Sequence, residues 1–488
     1  MAFLSKTKYL NGLQCRKLIW YLYNAKDKVP AYGAATQAIF DQGHEIGRLA
    51  KSLFPGGLEI EGKPWDYHGL LARTGQALRK KIPLYEAAFG YGDAFARTDI
   101  LNPAGDGAWD LIEVKSSTEV KKVNIDDLAL QKYVVEGSGL HVRKCILMHI
   151  NSAYVRAGAV EVEKLFTQED VTPKVLEKSA CVELNLAKLV KGIRQKKVPD
   201  IKIGSRCDDP YACILKEICW AFLPENSPLT LSGFNKEKAF KLIHRGILNI
   251  TDVPGTVALN EKQTIQLEAA RTGCRHIDPG AIRAFLKTLV YPISFLDFET
   301  FMTAIPLYDG IRPYQQVPFQ FSLHIVEAAG AGLSHHSYLS DGRKDPSRKI
   351  LDLLMERLGD SGSIVCYNAA FERGVLNRAV EAYPEYQKWW MAAQTRLVDL
   401  LGPFRAFAFY HPEQSGSASL KAVLPALTGE GYDSLDIADG ETASREYLRV
   451  TFGEADEEER ARVRGQLEDY CGLDTLGMIR IVEALKSI

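Results

Sequence analysis

Two sets of acidic residues stand out by type and spacing. Glu113 and Lys115 lie two apart in Trp109-Asp110-Leu111-Ile112-Glu113-Val114-Lys115, an apolar run that reads as a strand, so their side chains share one face. Asp99 lies in the preceding run, Ala94–Leu101, across the turn-forming segment Asn102-Pro103-Ala104-Gly105-Asp106-Gly107. Two carboxylates and a lysine can therefore converge. Such a carboxylate pair holds Mg²⁺ or Mn²⁺ with several waters. The ion polarises a phosphodiester and lowers the pKa of a bound water, while the lysine orients that water or stabilises charge developing on phosphate. The Glu-x-Lys spacing alone carries little, because Glu61-Gly62-Lys63 and Glu119-Val120-Lys121 repeat it. The apolar strand, the upstream Asp and the hairpin-length gap single out Glu113; the plain alternative is a surface charge pair.

The second set begins in Tyr291-Pro292-Ile293-Ser294-Phe295-Leu296-Asp297-Phe298-Glu299-Thr300. Period two again puts both acids on one side, and two acids on a buried strand need a cation to be tolerated. Near the C-terminus, Tyr470 and Asp474 share a helix face at i, i+4. Between them, Val365-Cys366-Tyr367-Asn368-Ala369-Ala370-Phe371-Glu372 runs from a strand to an acid at a helix start, with Asp399 as a competing candidate. Lys421, at the start of a helix after a Ser-rich stretch, is a candidate phosphate contact, although a Ser N-cap explains part of that pattern.

Four cysteines form a third constellation. Cys207, Cys213 and Cys219 are evenly spaced in a polar, Pro-containing segment, and Cys15 near the start can supply a fourth thiolate. Four thiolates fit a [4Fe–4S] cluster or Zn²⁺, with free thiols as the remaining reading. Structural zinc usually pairs its cysteines more closely, so the wide gaps favour the cluster. Cys145, Cys181, Cys274, Cys366 and Cys471 lie in apolar or helical runs and read as packed thiols.

The elements that position these residues follow from periodicity. In 1–223, helical patterns occupy 5–23, 34–53 and 125–136, and strand-like runs 84–89, 94–101, 108–115 and 144–150. The stretch 224–288 reads as a helical linker, with two short helices and a turn in the manner of a helix–hairpin–helix. From 289 to 488 a second α/β pattern has strands at 293–298 and 364–367 and helices at 346–358, 370–382 and 456–486. The expectation is an α/β chain in three parts: 1–223, 224–288 and 289–488. The 488 residues are 46% apolar and 25% charged, with a net charge of −1. This is a globular composition. A nucleic-acid partner must be held by local basic stretches rather than by overall charge. No apolar run approaches a membrane span, and the expected location is cytoplasmic, where nine cysteines do not suggest a disulfide framework.

These residues carry two resemblances. Residues 1–223 resemble the iron–sulfur RecB-type nucleases of the PD-(D/E)xK superfamily, which place one cluster cysteine near the N-terminus and three after the nuclease core. The resemblance implies that Asp99 and Glu113 bind metal, that Lys115 is catalytic, and that Glu86 is a helper acid. Gln131 and Tyr133 fall near the family's Gln/Tyr helix motif at an unusual spacing. The family's metal-binding His falls at Gly47, with His44 about one turn earlier as a substitute. Residues 289–488 resemble the RNase H-like 3′→5′ exonucleases of the DEDD group. Asp297, Glu299, Glu372 and Asp474 would then be the four acids, with Glu372 in place of the Asp of the middle motif, and Tyr470 would orient the attacking water in two-metal hydrolysis. The whole resembles a bacterial family that fuses the two domains. It implies a metal-dependent nuclease acting on single-stranded DNA ends, with a [4Fe–4S] cluster and Mg²⁺ or Mn²⁺. The other readings are a nucleic-acid-binding factor with decayed sites and an RNA-processing exonuclease, because the acids do not report sugar identity.

Overall fold

The computed structural model describes residues 4–488. The chain divides into two compact units, one of Met1–Ala221 with Thr303–Tyr314, the other of Phe222–Met302 with Gln315–Ile488. In this division the stretch 224–288 falls with the second unit. Each unit is a mixed α/β structure built on its own mixed sheet. Among the described residues no helix is long and apolar enough to cross a membrane.

The first unit's sheet contains β1 (Leu4–Ser5), β2 (Leu58–Glu59), β3 (Leu84–Tyr91), β4 (Ala94–Pro103), β5 (Ala108–Lys115), β6 (His141–Ile150) and β7 (Phe166–Asp170), ordered β2-β3-β4-β5-β6-β7 with β1 paired to β4. Strands β3, β4 and β5 pair antiparallel, whereas β5 and β6 are parallel. The parallel pair requires a crossover, and the helix Lys122–Gly137 supplies it. That helix is buried from Val123 to Ile125 and from Asp127 to Lys132, so any polar group on it must find a partner. The β4–β5 turn closes through three residues with positive φ, Gly105, Asp106 and Gly107, which glycine tolerates best. The expected helix over 5–23 is two helices, Lys6–Gln14 and Arg16–Asn24, separated at Cys15, whose backbone is extended. Segment Thr303–Tyr314 closes one side of this unit: Ala304, Ile305 and Tyr314 pack with Ile46, Ala50, Ile100 and Ile112.

In the second unit a two-stranded ribbon joins β8 (His276–Ile277) to β14 (Phe409–Tyr410). The main sheet has β9 (Ile293–Phe301), β10 (Val317–Val326), β11 (Leu333–Leu339), β12 (Ser363–Cys366) and β13 (Leu397–Asp399), ordered β11-β10-β9-β12-β13. Its first three strands in the chain pair antiparallel, and β12 and β13 run parallel to β9. Alternation along β9 divides its side chains between two layers. Leu296 and Phe298 enter a core with residues of the helices Ser347–Arg357, Ala369–Ala382 and Gln387–Ala393. On the opposite face, Phe301 stacks on Tyr447 of the helix Gly440–Phe452, and the helix Glu457–Lys486 packs along β9 and β10. Asp297 and Glu299 therefore face that long helix.

Candidate functional site

In the first unit the structure brings Asp99, Glu113 and Lys115 together and adds residues the sequence did not reveal. The Glu113 carboxylate is 1% exposed and accepts from Lys115 Nζ at 2.6 Å and Lys6 Nζ at 2.8 Å. Its other oxygen accepts from Gln131 Nε2 at 2.7 Å. Asp127, one turn before Gln131, lies 3.1 Å from Lys115 Nζ and accepts from Gln131 Nε2 at 2.9 Å. Lys6 Nζ also lies 3.6 Å from Asp99 Oδ1, while Asp99 Oδ2 accepts from the Val114 amide at 2.8 Å. Burial favours the neutral Glu113 carboxyl, but Lys115 and Lys6 together outweigh it and hold Glu113 well below the usual range. Burial and the Glu113 charge push Asp99 up to about 7. Burial works against the charged Lys115 too, and Glu113 and Asp127 overcome it, raising this lysine. Three carboxylates thus face two lysines.

Glu86 sits in β3 with φ 56, where Glu86 and Asp99 drop out of the β3–β4 ladder. An L-residue with positive φ in a strand stores strain of the kind found beside functional sites. Its carboxylate lies 3.5 Å from both Lys51 and Arg97, and its charge acts on Asp99. His44 is exposed on the helix Ala34–Lys51, because Ile46 and Ala50 fix the buried face. It joins no ligand group among the described residues. Gly47 has open space where a side chain would stand. Asp99 and Glu113 have the chemistry of divalent-ion ligands, and Lys6 Nζ stands between them.

The second unit concentrates negative charge far more strongly. Asp297 and Glu299 on β9, Glu372 in the first turn of the helix Ala369–Ala382, and Asp474 on the helix Glu457–Lys486 act on one another electrostatically. Glu299, Glu372 and Asp474 are 6%, 2% and 6% exposed. Burial and the Asp474, Glu299 and Glu372 charges raise Asp297 well above the ordinary range. Burial and Asp474 push Glu299 up to about 8. Burial also takes Glu372 up to about 8, with Asp399 adding, and Asp474 to about 6 against the lowering pull of the Tyr432 hydroxyl and Lys421. The counter-charge acting on this set is Lys421, whose Nζ lies 5.2 Å from the Tyr470 ring centre and 5.7 Å from that of Tyr432. The Tyr432 hydroxyl donates to Asp474 Oδ1, and Tyr470 lies one turn before Asp474 on the same helix. Four acids against one lysine is an arrangement that divalent cations relieve. Glu372 Oε2 is buried with no hydrogen-bond partner among the described residues, the state expected of an oxygen reserved for a ligand. Asp399, the competing candidate, acts on Glu372 electrostatically, accepts from the Leu401 amide at 3.1 Å and lies 4.0 Å from Arg405.

A polar seam keeps the long helix in register with the sheet. Ser322, opposite Asp297 in the β9–β10 pair, contacts Thr475 Oγ1 at 2.7 Å and His335 Nε2 at 2.9 Å. Thr475 also meets His324 Nδ1 at 2.8 Å, and Gln320 donates to the Leu467 carbonyl at 2.8 Å. These bonds hold Asp474 toward β9. Cys471, which the sequence pattern suggested was merely packed, instead points its thiol at Asp297 Oδ2, 3.8 Å away. Cys181 and Cys274 are exposed, contrary to the same expectation, whereas Cys145 and Cys366 are buried.

The four remaining cysteines line one cavity. Cys15, Cys207, Cys213 and Cys219 line it with Lys17, Lys202, Arg206 and Lys216. The Gln14 side chain ties the two ends of the unit, donating to the Arg206 carbonyl at 2.9 Å and the Tyr211 carbonyl at 2.7 Å. Burial pushes the Cys213 thiol up to about 11, and the other three cysteines add to the shift. Among the described residues these cysteines form no group with three ligand atoms mutually within 4.8 Å. A single tetrahedral zinc with sulfur at about 2.3 Å would need them closer.

A family model described as "Domain of unknown function (DUF2779)" matches residues 294–419. The matched segment includes Asp297, Glu299 and Glu372 and ends before Tyr470 and Asp474. The chain is also similar to "Uncharacterized protein MG366 homolog" of Mycoplasma pneumoniae, at 28% identity over 208 residues, covering 38% of this chain and 31% of that protein. The chain thus spans about a third of the length of the curated relative it matches. Neither description names a nuclease or any other activity.

Proposed function

We propose that this protein is a metal-dependent nuclease that hydrolyses phosphodiester bonds at single-stranded DNA ends, with its 3′→5′ exonuclease centre in the second unit. The observation that carries the reading is the set Asp297, Glu299, Glu372 and Asp474, one half-buried and three buried acids on which Lys421 acts as counter-charge. The RNase H-like DEDD resemblance agrees with the mixed sheet and with these acids facing the helix that bears Tyr470. The four acids would hold Mg²⁺ or Mn²⁺, and bound divalent ions supply a water of lowered pKa and charge stabilisation on phosphate. Lys421 stands beside the site as a phosphate contact, and Tyr470, one turn before Asp474 on the same helix, would orient the attacking water.

In the first unit, the RecB-like reading assigns Lys115 the phosphate and Asp99 with Glu113 a cation that must displace Lys6. The four-cysteine cavity would hold a [4Fe–4S] cluster joining the N-terminal helices to the segment 207–219. Its role is structural, since cutting phosphodiesters moves no electrons. The test is degradation of 5′-labelled single-stranded DNA and matched RNA with Mg²⁺ or Mn²⁺. Anaerobically purified wild type is compared with Lys115→Ala and Asp297→Ala. Loss of the stepwise 3′ ladder in Asp297→Ala, and of a separate cleavage pattern in Lys115→Ala, supports the two-site reading. Binding without cleavage by the wild type on both substrates would replace it with a nucleic-acid-binding factor.

A further inference from the structure

Cys471 has no role in the proposed hydrolysis, yet it lies within the acidic set. Its sulfur, an Asp297 oxygen and a Glu299 oxygen all lie within 4.8 Å of one another, the three-residue group among the described residues whose ligand atoms are close enough for one ion. Cys471 is 0% exposed. It stands three residues before Asp474 on the same helix, so the two share a face. An independent observation points to a ligand here: Glu372, which acts on Asp297 electrostatically, is 2% exposed and has one carboxylate oxygen without a hydrogen-bond partner among the described residues. Thiolate is a soft ligand that zinc-class ions accept, whereas magnesium is a hard ion that takes oxygen.

We propose that the second acidic site also binds a soft divalent ion of the zinc and cobalt class, through the Cys471 thiolate with the Asp297 and Glu299 carboxylates, and that this ion competes there with Mg²⁺ and Mn²⁺. The proposal rests on the reading of this site as a cation site. Binding forms a metal–sulfur bond and releases the Cys471 proton to solvent, with no change of oxidation state. Because a hard ion gains nothing from the sulfur, Cys471 shifts selectivity rather than overall affinity.

The experiment is anaerobic Co²⁺ titration of the full chain, following the near-ultraviolet thiolate-to-cobalt charge-transfer band, with Mn²⁺ binding read separately by electron paramagnetic resonance. Wild type is compared with Cys471→Ser, and with Cys366→Ser as a control for loss of another buried thiol outside the group. The four cysteines of the first unit are the same in all three proteins, so the difference spectra report the second unit. The expected result is a band component missing from Cys471→Ser and kept in Cys366→Ser. Co²⁺ affinity should fall at least as far as the roughly 10–100-fold seen when an outer-sphere partner is lost, with a much smaller change in Mn²⁺ affinity. An identical Co²⁺ spectrum in Cys471→Ser, with Asp297-dependent Mn²⁺ binding intact, overturns this inference and leaves the cation-site reading standing. Absence of Asp297-dependent Mn²⁺ binding in the wild type overturns both.

Discussion

Removing divalent ions should make the second unit less stable as pH rises, and adding them should reverse the trend. Glu299 and Glu372 are each held near 8 against an ordinary 4.5. The folded chain therefore binds protons at these groups more tightly than the unfolded chain does. Between the two values the folded state carries more protons, so stability falls with rising pH through that window and levels off above the folded value. Each such proton contributes a slope of about 1.4 kcal/mol per pH unit, about 4 kcal/mol between pH 5 and pH 8. The upper bound for Glu299 alone is about 5 kcal/mol. Because the acids repel one another, their contributions do not simply add. A divalent ion at about 100 times its Kd restores about 2.7 kcal/mol. The assay is hydrogen exchange in increasing urea, in EDTA and in Mn²⁺, read on peptides from 293–301 and 457–486 so that the answer belongs to the second unit. Asp297→Asn should stabilise the ion-free protein at pH 8 by roughly 1–2 kcal/mol, as removal of a functional charge clash commonly does, and should abolish the response to Mn²⁺. Ion-free stability that is flat or rising from pH 5 to pH 8, or a Mn²⁺ response that survives Asp297→Asn, would refute the reasoning.

Three further predictions follow from the same geometry. Lys6→Ala should raise Mn²⁺ affinity at the first site, since it removes the ammonium between Asp99 and Glu113; unchanged affinity by isothermal titration in an Asp297→Ala background argues against cation binding there. Glu372→Gln should weaken Mn²⁺ binding to the second unit about tenfold or more, whereas Asp399→Asn should leave it nearly unchanged, because Asp399 already has partners; equal effects would mean the fourth acid was misassigned. Cys219→Ser should lose the visible iron–sulfur absorbance of anaerobically prepared protein and melt the first unit earlier by calorimetry; a colourless wild type that melts like the variant contradicts the cluster.

The parts of each site that sit on single strands were legible in the sequence, because period-two alternation is local. Glu113 with Lys115, and Asp297 with Glu299, needed only an apolar strand to be read. The long C-terminal helix was readable from its periodicity over 456–486 and spans Glu457–Lys486. Convergence between distant segments was less legible. Lys6 lies 107 residues before the Glu113 it meets, in a Lys-Thr-Lys stretch that looks like any solvated helix start. Asp127 did carry a signal, as an acid on an otherwise apolar helix face one turn before Gln131. Cys471 carried one as well, three residues from Asp474, but buried thiols are so often packing residues that type alone said little. Tyr432 comes from a loop and had none. His44 is exposed because Ile46 and Ala50 set which side of its helix is buried, and a histidine two residues before a core position points away from that side. The break at Cys15 was hidden because both flanking segments favour helix; the extended backbone at that one residue is what turns its thiol into the four-cysteine cavity.

The central claim is that the second unit's acids hold ions that cut the strand, and Asp297→Asn tests it most directly because it changes charge and little else in shape. The measurement is stepwise shortening of 5′-labelled single-stranded DNA in Mn²⁺ by wild type and by Asp297→Asn, both shown to be folded by hydrogen exchange. The account predicts a descending ladder with the wild type and no loss of length with the variant. An undiminished ladder from Asp297→Asn would contradict it.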